Sequence, residues 1–391
     1  MSSENSPNTL SRLAPQIAAF TFIRSIFDTM FRMVYPFLPA IARGLGVEIT
    51  AVAQALTWRN LLGAAGPFLG AVSDSRGRRA GMLFGLTLFI TGGLVVVVWP
   101  TFIGFVIALV LTTLGKFVFG PATNAYLGDR VPYSQRSRAV AFTEMAWSMS
   151  SLLGIPLVGL LIGHFNWWAP FPILTLLAMV GLGALILIIP PEPSQLRESA
   201  MLKNFGLVFS SSSAVAALLV IASLSGAHEI VNLLFGVWME DAFTLQITVL
   251  GAAAAVIGAA ELAGEGLVAT LTDRLGKKRS IAIGLVLTGL AAIGLPLTNF
   301  NLAAALSGLF FFYITFEFTY VSMIPMITEI LPSARATLLA VAVAFSSLGR
   351  ALASQFAIPL YDIGFWAGAL ATLIFLVFAF GALSRIQLDE A

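Results

Sequence analysis

Gly70-Ala71-Val72-Ser73-Asp74-Ser75-Arg76-Gly77-Arg78-Arg79 is a short polar stretch between two long apolar ones. Ala269-Thr270-Leu271-Thr272-Asp273-Arg274-Leu275-Gly276-Lys277-Lys278-Arg279 stands in the same setting in the second half. Both contain Asp-x-x-Gly followed by a basic pair. Asp74 and Asp273 lie 199 positions apart in a chain of 391. A polar hairpin between apolar helices, repeated at half the chain length, predicts a duplicated membrane protein.

Composition agrees. Hydrophobic residues make up 58% of the chain and charged residues 10%, against about 25% charged in a soluble domain. A spanning helix needs ~20 mostly apolar residues. Twelve such segments fit, at 15–38, 50–72, 80–99, 101–127, 138–163, 168–190, 209–238, 246–270, 280–298, 302–331, 336–358 and 363–384. The chain has no Cys, which excludes disulfides, thiolate metal sites and Cys nucleophiles. The first sixteen residues are polar and lack the charged-then-apolar pattern of a cleaved signal, so the first helix is expected to direct its own insertion.

Basic residues set the expected orientation. With the N-terminus inside, fifteen of the 21 Lys and Arg fall in inner loops or tails and only Arg43 in an outer one. The other five lie within spans. Short cytoplasmic loops carry the excess of Lys and Arg, so both termini are expected to be cytoplasmic in a multi-pass plasma (inner) membrane protein. The segment from Pro190 to Asn204 is the longest internal polar one, and its prolines stop helix 6. It divides the chain into an N-terminal six-helix bundle (1–189), a cytoplasmic linker (190–206) and a C-terminal six-helix bundle (207–391).

The first hairpin resembles the loop between helices 2 and 3 of the major facilitator superfamily, Gly-x-x-x-Asp-x-x-Gly-Arg-Arg. The second resembles its weaker copy between helices 8 and 9, with Ala269 in place of the first Gly. The resemblance covers the whole chain. It implies an all-α polytopic membrane protein with twelve transmembrane helices, in two pseudo-symmetric six-helix bundles that rock around a central site. It also implies a monomer, and a gating role for the motif residues Gly70, Asp74, Gly77, Arg78, Asp273 and Gly276. Asp74 is expected to cap a neighbouring helix or pair with an arginine when the inner gate is shut. Lys116-Phe117-Val118-Phe119-Gly120 is similar to the family's Arg-x-x-Gln-Gly in helix 4, with Lys for Arg and Phe for Gln. Gly154-Ile155-Pro156-Leu157-Val158-Gly159 loosely resembles the Gly-Pro-x-x-Gly-Gly element of family antiporters, pointing to the drug/proton antiporter-like branch. Pro156 is expected to kink its helix in any case.

Ionisable residues within spans are costly and face protein or a wet cavity. Helix 1 carries Arg24, Asp28 and Arg32 at i, i+4 and i+8, on one face, which places Asp28 between two cations. Arg59, Lys116 and Glu144 follow in the first half. The second half carries His228, Glu229, Glu261, Glu265, Glu317 and Arg350, and is mainly acidic. Asp28, Glu229, Glu261, Glu265 and Glu317 are candidate proton carriers. Glu317 and the Glu261/Glu265 pair rank first because their own helices offer no cation. Arg24, Arg32, Arg59, Lys116, Glu144, His228, Tyr313 and Arg350 are candidate cavity residues. The alternative is that these charges only pair and hold the helices in register, for instance Lys116 with Glu317. The aromatic run Phe310–Tyr320 covers every face of its helix. Part must face lipid, and part, near Glu317, is a candidate lining for a flat apolar or cationic ligand.

These features point to a secondary active transporter working by alternating access, with proton-coupled export of small apolar or cationic molecules as the leading reading. Its expected partners are that small-molecule substrate, protons and the lipid bilayer. Alternatives are proton-coupled uptake or facilitated transport of a polar or anionic nutrient, and lipid or lysolipid translocation. A P-loop run is absent, no nucleophile or metal set gathers around the two histidines, and no basic stripe lies outside the topology loops. An ATP-driven pump, an enzyme and a nucleic-acid binder are therefore disfavoured, and no cofactor or metal is expected.

Overall fold

A computed structural model describes residues 9–66, 77–190 and 201–387. The described residues are helical and form no strand. The first span is broken. Helix α1 (Thr9–Arg32) ends in turns over residues 33–37, and α2 (Leu38–Leu45) follows. Pro36 lies in that break and Pro39 in the first turn of α2, and proline supplies no helical donor. Helix α3 (Ile49–Gly63) takes most of the expected second span. Gly70 and Asp74 lie outside the described residues.

The chain continues through α4 (Arg78–Val98), α5 (Phe102–Arg130), α6 (Tyr133–Glu144) and α7 (Ala146–Met149). A π-type turn, Ser150–Gly154, leads into α8 (Ile155–His164), so the helical ladder is disturbed just before Pro156. Helix α9 (Pro170–Ile188) completes this half. The second half holds α10 (Met201–Ser210), α11 (Ser212–Phe243), α12 (Ile247–Leu267), α13 (Lys277–Gly294), α14 (Leu302–Ile330), α15 (Arg335–Ile363) and α16 (Phe365–Ser384). Ten helical segments among the described residues are long and apolar enough to cross a membrane. They match the last ten expected spans to within a few residues. Large exposed apolar side chains such as Leu176, Leu290 and Phe378 cover their outer faces, as a lipid-facing surface requires.

The hairpin glycines have the backbone that the motif needs. Gly77 (φ 91°, ψ 152°) starts α4 and Gly276 (φ 83°, ψ 142°) starts α13. This region is essentially closed to residues with a Cβ. The basic residue after each glycine reaches an acid near the end of a long helix. Arg78 Nε lies 3.4 Å from Asp129 Oδ2, and Lys277 pairs with Glu329. The caps repeat as well. Thr101 Oγ1 accepts from Gly104 N, and Asn301 Oδ1 accepts from Ala304 N. These matched positions recur at the same offset of about half the chain.

Contacts sort the chain into two compact units. The first contains Met1–Phe31, Phe68–Ser150 and Trp168–Glu198. Its core is aromatic, with Phe27 against Phe89 and Phe119, and Phe20 edge-on to Tyr126. The second contains Arg32–Pro67, Ser151–Trp167 and Ser199–Ala391. In it α3 packs on α15, α8 on α12, and α2 on α11. Gly159 and Gly251 meet where α8 crosses α12. A Cβ on Gly159 would stand 3.0 Å from the Gly251 Cα, so that close approach needs both glycines.

Candidate functional site

In the first unit, α1, α6 and α7 line an open-sided apolar cavity of about 620 Å³. Ala18, Phe22, Phe142, Met145 and Met149 are among its lining. Thr21 and Ser25 are the hydroxyls in that lining, and both are spent on backbone carbonyls. Thr21 Oγ1 donates to Ile17 O at 2.9 Å and Ser25 Oγ to Thr21 O at 2.9 Å. The cavity therefore offers an apolar body little to hydrogen-bond.

Charge gathers beside it. Arg24 makes a two-pronged bond to Glu144, at 2.7 and 2.6 Å, the fork-to-fork geometry that strengthens guanidinium–carboxylate pairs. Lys116 Nζ lies 2.7 Å from Asp28 Oδ1. The expected ladder of Arg24, Asp28 and Arg32 is thus resolved differently. The three share a face of α1, but each bonds to another helix. Spacing placed them on one face and gave no information on what that face meets. Lys116 is engaged by Asp28 rather than by the expected Glu317.

The second unit holds a larger buried network. Arg32 forks onto Glu261 at 2.9 and 2.8 Å, and the Glu261 side chain is fully buried. Glu229, also fully buried, accepts from Tyr35 OH at 3.1 and 3.0 Å, Asn60 Nδ2 at 3.0 Å and Arg350 Nη1 at 3.4 Å. Arg59 Nη2 donates to Tyr35 OH at 2.6 Å. Tyr313 OH donates to Asn232 Oδ1 at 2.5 Å, and the Asn232 amide meets His228 Nδ1 at 3.1 Å. His228 stacks on Phe316 with ring centroids 3.9 Å apart. Its Nε2 is buried and has no hydrogen-bond partner.

Glu317 stands apart. It is buried on α14 and makes no hydrogen bond or ion pair among the described residues. It packs where α14 crosses α12. A Cβ on Gly264 would lie 2.8 Å from the Glu317 Cβ. Glu261, Gly264 and Glu265 share one face of α12, so the crossing sets Glu317 against both acids, which act on it electrostatically together with Arg32 and Arg350. In the second hairpin, Asp273 is exposed at the start of a single helical turn, Asp273–Leu275.

The sequence singled out every charged member of both clusters. It missed Tyr35, Asn60 and Asn232. The two asparagines carried a usable signal, being amides inside apolar spans. Among the described residues, no group of acids and histidines could hold a metal ion.

Known proteins are similar to this chain in sequence and in fold. The model of the Major Facilitator Superfamily matches residues 20–354. The MFS-type transporter YceJ of Bacillus subtilis is 24% identical over 295 residues, 75% of each chain. MdtD of Salmonella dublin, which carries a multidrug resistance name, is 28% identical over 44% of this chain and 37% of its own length. The crystal structure of a D-xylose–proton symporter superposes with a TM-score of 0.77 at 17% identity, over 94% of this chain and 97% of that one. At that identity the likeness concerns the fold.

Proposed function

Because the chain belongs to the Major Facilitator Superfamily, a family of membrane transporters, we propose that it is a proton-coupled secondary transporter that exports small apolar or cationic molecules by alternating access. One observation carries the substrate class. All five basic side chains within the spans are engaged by an acid or a phenol: Arg24, Arg32, Arg59, Lys116 and Arg350. The cavity beside Arg24 is apolar. An anionic nutrient would have to compete with these contacts, whereas an apolar body needs only the cavity. The multidrug resistance name of MdtD agrees with export.

Glu317 is the proton carrier in this reading. It lies against Glu261 and Glu265, and the Arg32 fork is already taken by Glu261. A proton on Glu317 removes one of three neighbouring negative charges, so its loading changes how α12 and α14 hold together. The twelve spans, the two bundles at 1–189 and 207–391 and the cytoplasmic termini belong to the same proposal, which rests for them on the hairpin repeat and the basic-residue asymmetry. The protein then works as a monomer in the plasma (inner) membrane. Segments 32–67 and 151–167, which pack within the second unit, are on this reading the parts of the first bundle that clasp the second in this conformation.

The test is proton flux in sealed proteoliposomes carrying an imposed pH gradient, with lipophilic cations, sugars and organic anions added in turn. Proton movement out of phase with a lipophilic cation, lost in Glu317→Gln while substrate exchange persists, is the expected result. Flux triggered by a sugar or an anion, or wild-type flux in Glu317→Gln, overturns the reading.

A further inference from the structure

The Lys116 ammonium sits in what is, by its chemistry, a receptor for a cation. Nζ lies 2.7 Å from Asp28 Oδ1, 4.3 Å from the Phe31 ring centroid and 4.9 Å from that of Trp147. Two ring faces and a carboxylate are what proteins present to an organic ammonium. Asp28 is only 2% exposed, yet its Oδ2 accepts no hydrogen bond. Buried polar atoms are normally satisfied. The lysine balances the charge of this carboxylate, but one of its oxygens is left without a hydrogen bond.

The cage adjoins the apolar cavity of the same unit. Ser25 in the cavity lining lies three residues before Asp28 on the same face of α1, and Trp147 falls between the lining residues Met145 and Met149. The Lys116 side chain is 24% exposed and rides on a flexible four-carbon stem, so it can withdraw without moving the backbone.

The geometry points to Lys116 as a tethered occupant of the substrate's own cation site. An organic ammonium with an apolar body places the body in the cavity and its charged end between Phe31, Trp147 and Asp28, and the lysine swings out. With no substrate bound, Lys116 spares the protein an unpaired buried carboxylate. A neutral molecule of the same shape fills the cavity and leaves Lys116 in place. This inference rests on the apolar cavity being the substrate cavity.

The two ideas separate in one titration. The purified full-length protein is titrated at pH 8 with phenethylammonium and with phenethyl alcohol, its neutral counterpart. Removing an intramembrane lysine that only supports structure leaves cation binding unchanged or weaker. Here Lys116→Met is expected to bind phenethylammonium about tenfold tighter than wild type, and the alcohol equally. Adding Asp28→Asn to that variant abolishes the gain. Phe31→Leu and Trp147→Leu, which leave the ion pair intact, weaken the ammonium by about threefold or more and spare the alcohol. They carry the test if Lys116→Met does not fold. Should both ligands bind wild type while Lys116→Met and the ring variants leave the ammonium unchanged, the tethered-occupant idea is overturned and the cavity reading stands. Binding of neither ligand to any form overturns the cavity reading, and this inference with it.

Discussion

The Arg32–Glu261 pair gives the sharpest test of the buried network. Arg32 contributes two charge-assisted hydrogen bonds at 2.8 and 2.9 Å to a carboxylate whose side chain has no exposed surface. Arg32→Met removes both bonds and leaves Glu261 buried without its guanidinium. Orphaning one member of a buried pair costs ~3–5 kcal/mol. The upper end applies here, because Glu265 and Glu317 lie against the same acid. Glu261→Gln keeps the shape and some hydrogen bonding, and is expected to cost about 2–3 kcal/mol. The double variant Arg32→Met with Glu261→Leu removes both charges and their desolvation together. Such replacements are often neutral, so it should fall within about 1 kcal/mol of wild type, far from the sum of the single losses. Reversible unfolding in mixed micelles supplies the free energies for a double-mutant cycle. Additive losses would refute the reasoning, since they would mean that the two side chains do not depend on each other.

Further outcomes follow from the same geometry. Gly276→Ala forces a Cβ into a backbone region near φ 83°, ψ 142° and is expected to cost ~1–3 kcal/mol in the same unfolding assay; wild-type stability would contradict the turn. Gly159→Leu inserts a side chain where α8 and α12 touch, and should abolish transport while leaving the protein inserted and folded; normal transport rates would show that this contact need not form during the cycle. The chain has no cysteine, so introduced pairs can be cross-linked without background. Arg43→Cys with Glu240→Cys, whose native side chains bond at 2.5 Å, should cross-link with a short bifunctional reagent and stop transport reversibly. Unimpeded transport in the cross-linked protein would rule out separation of α2 from α11 during alternating access. Asp28→Asn should destabilise the protein chiefly through the loss of Lys116, so Lys116→Met should shrink the effect of adding Asp28→Asn; additive losses in thermal unfolding would argue against the pair.

Much of the fold was legible in the chain because bilayer length is a strong constraint. An apolar run of about 20 residues crosses the hydrocarbon in one way only, as a helix. The run boundaries therefore anticipated the last ten spans closely, and Asp-x-x-Gly-basic-basic located the two hairpins whose glycines at 77 and 276 take a positive φ. Helical periodicity likewise put Arg24, Asp28 and Arg32 on one face of α1. Partner choice was a different matter. Periodicity fixes which residues share a face, whereas pairing depends on which helix comes to lie opposite, and that is set by packing across long sequence separations. Asp28 met Lys116, Arg24 met Glu144, and Arg32 met Glu261, 229 residues away. The break after Arg32, the partners of the span cations and the apolar pocket beside α1 arise only from that packing. Sequence alone determined that this chain is an all-helical multi-pass membrane protein with charges buried in its spans. Tertiary structure decided which of those charges neutralise each other, leaving Glu317 without a partner among the described residues, because a buried charge is defined by what surrounds it in space.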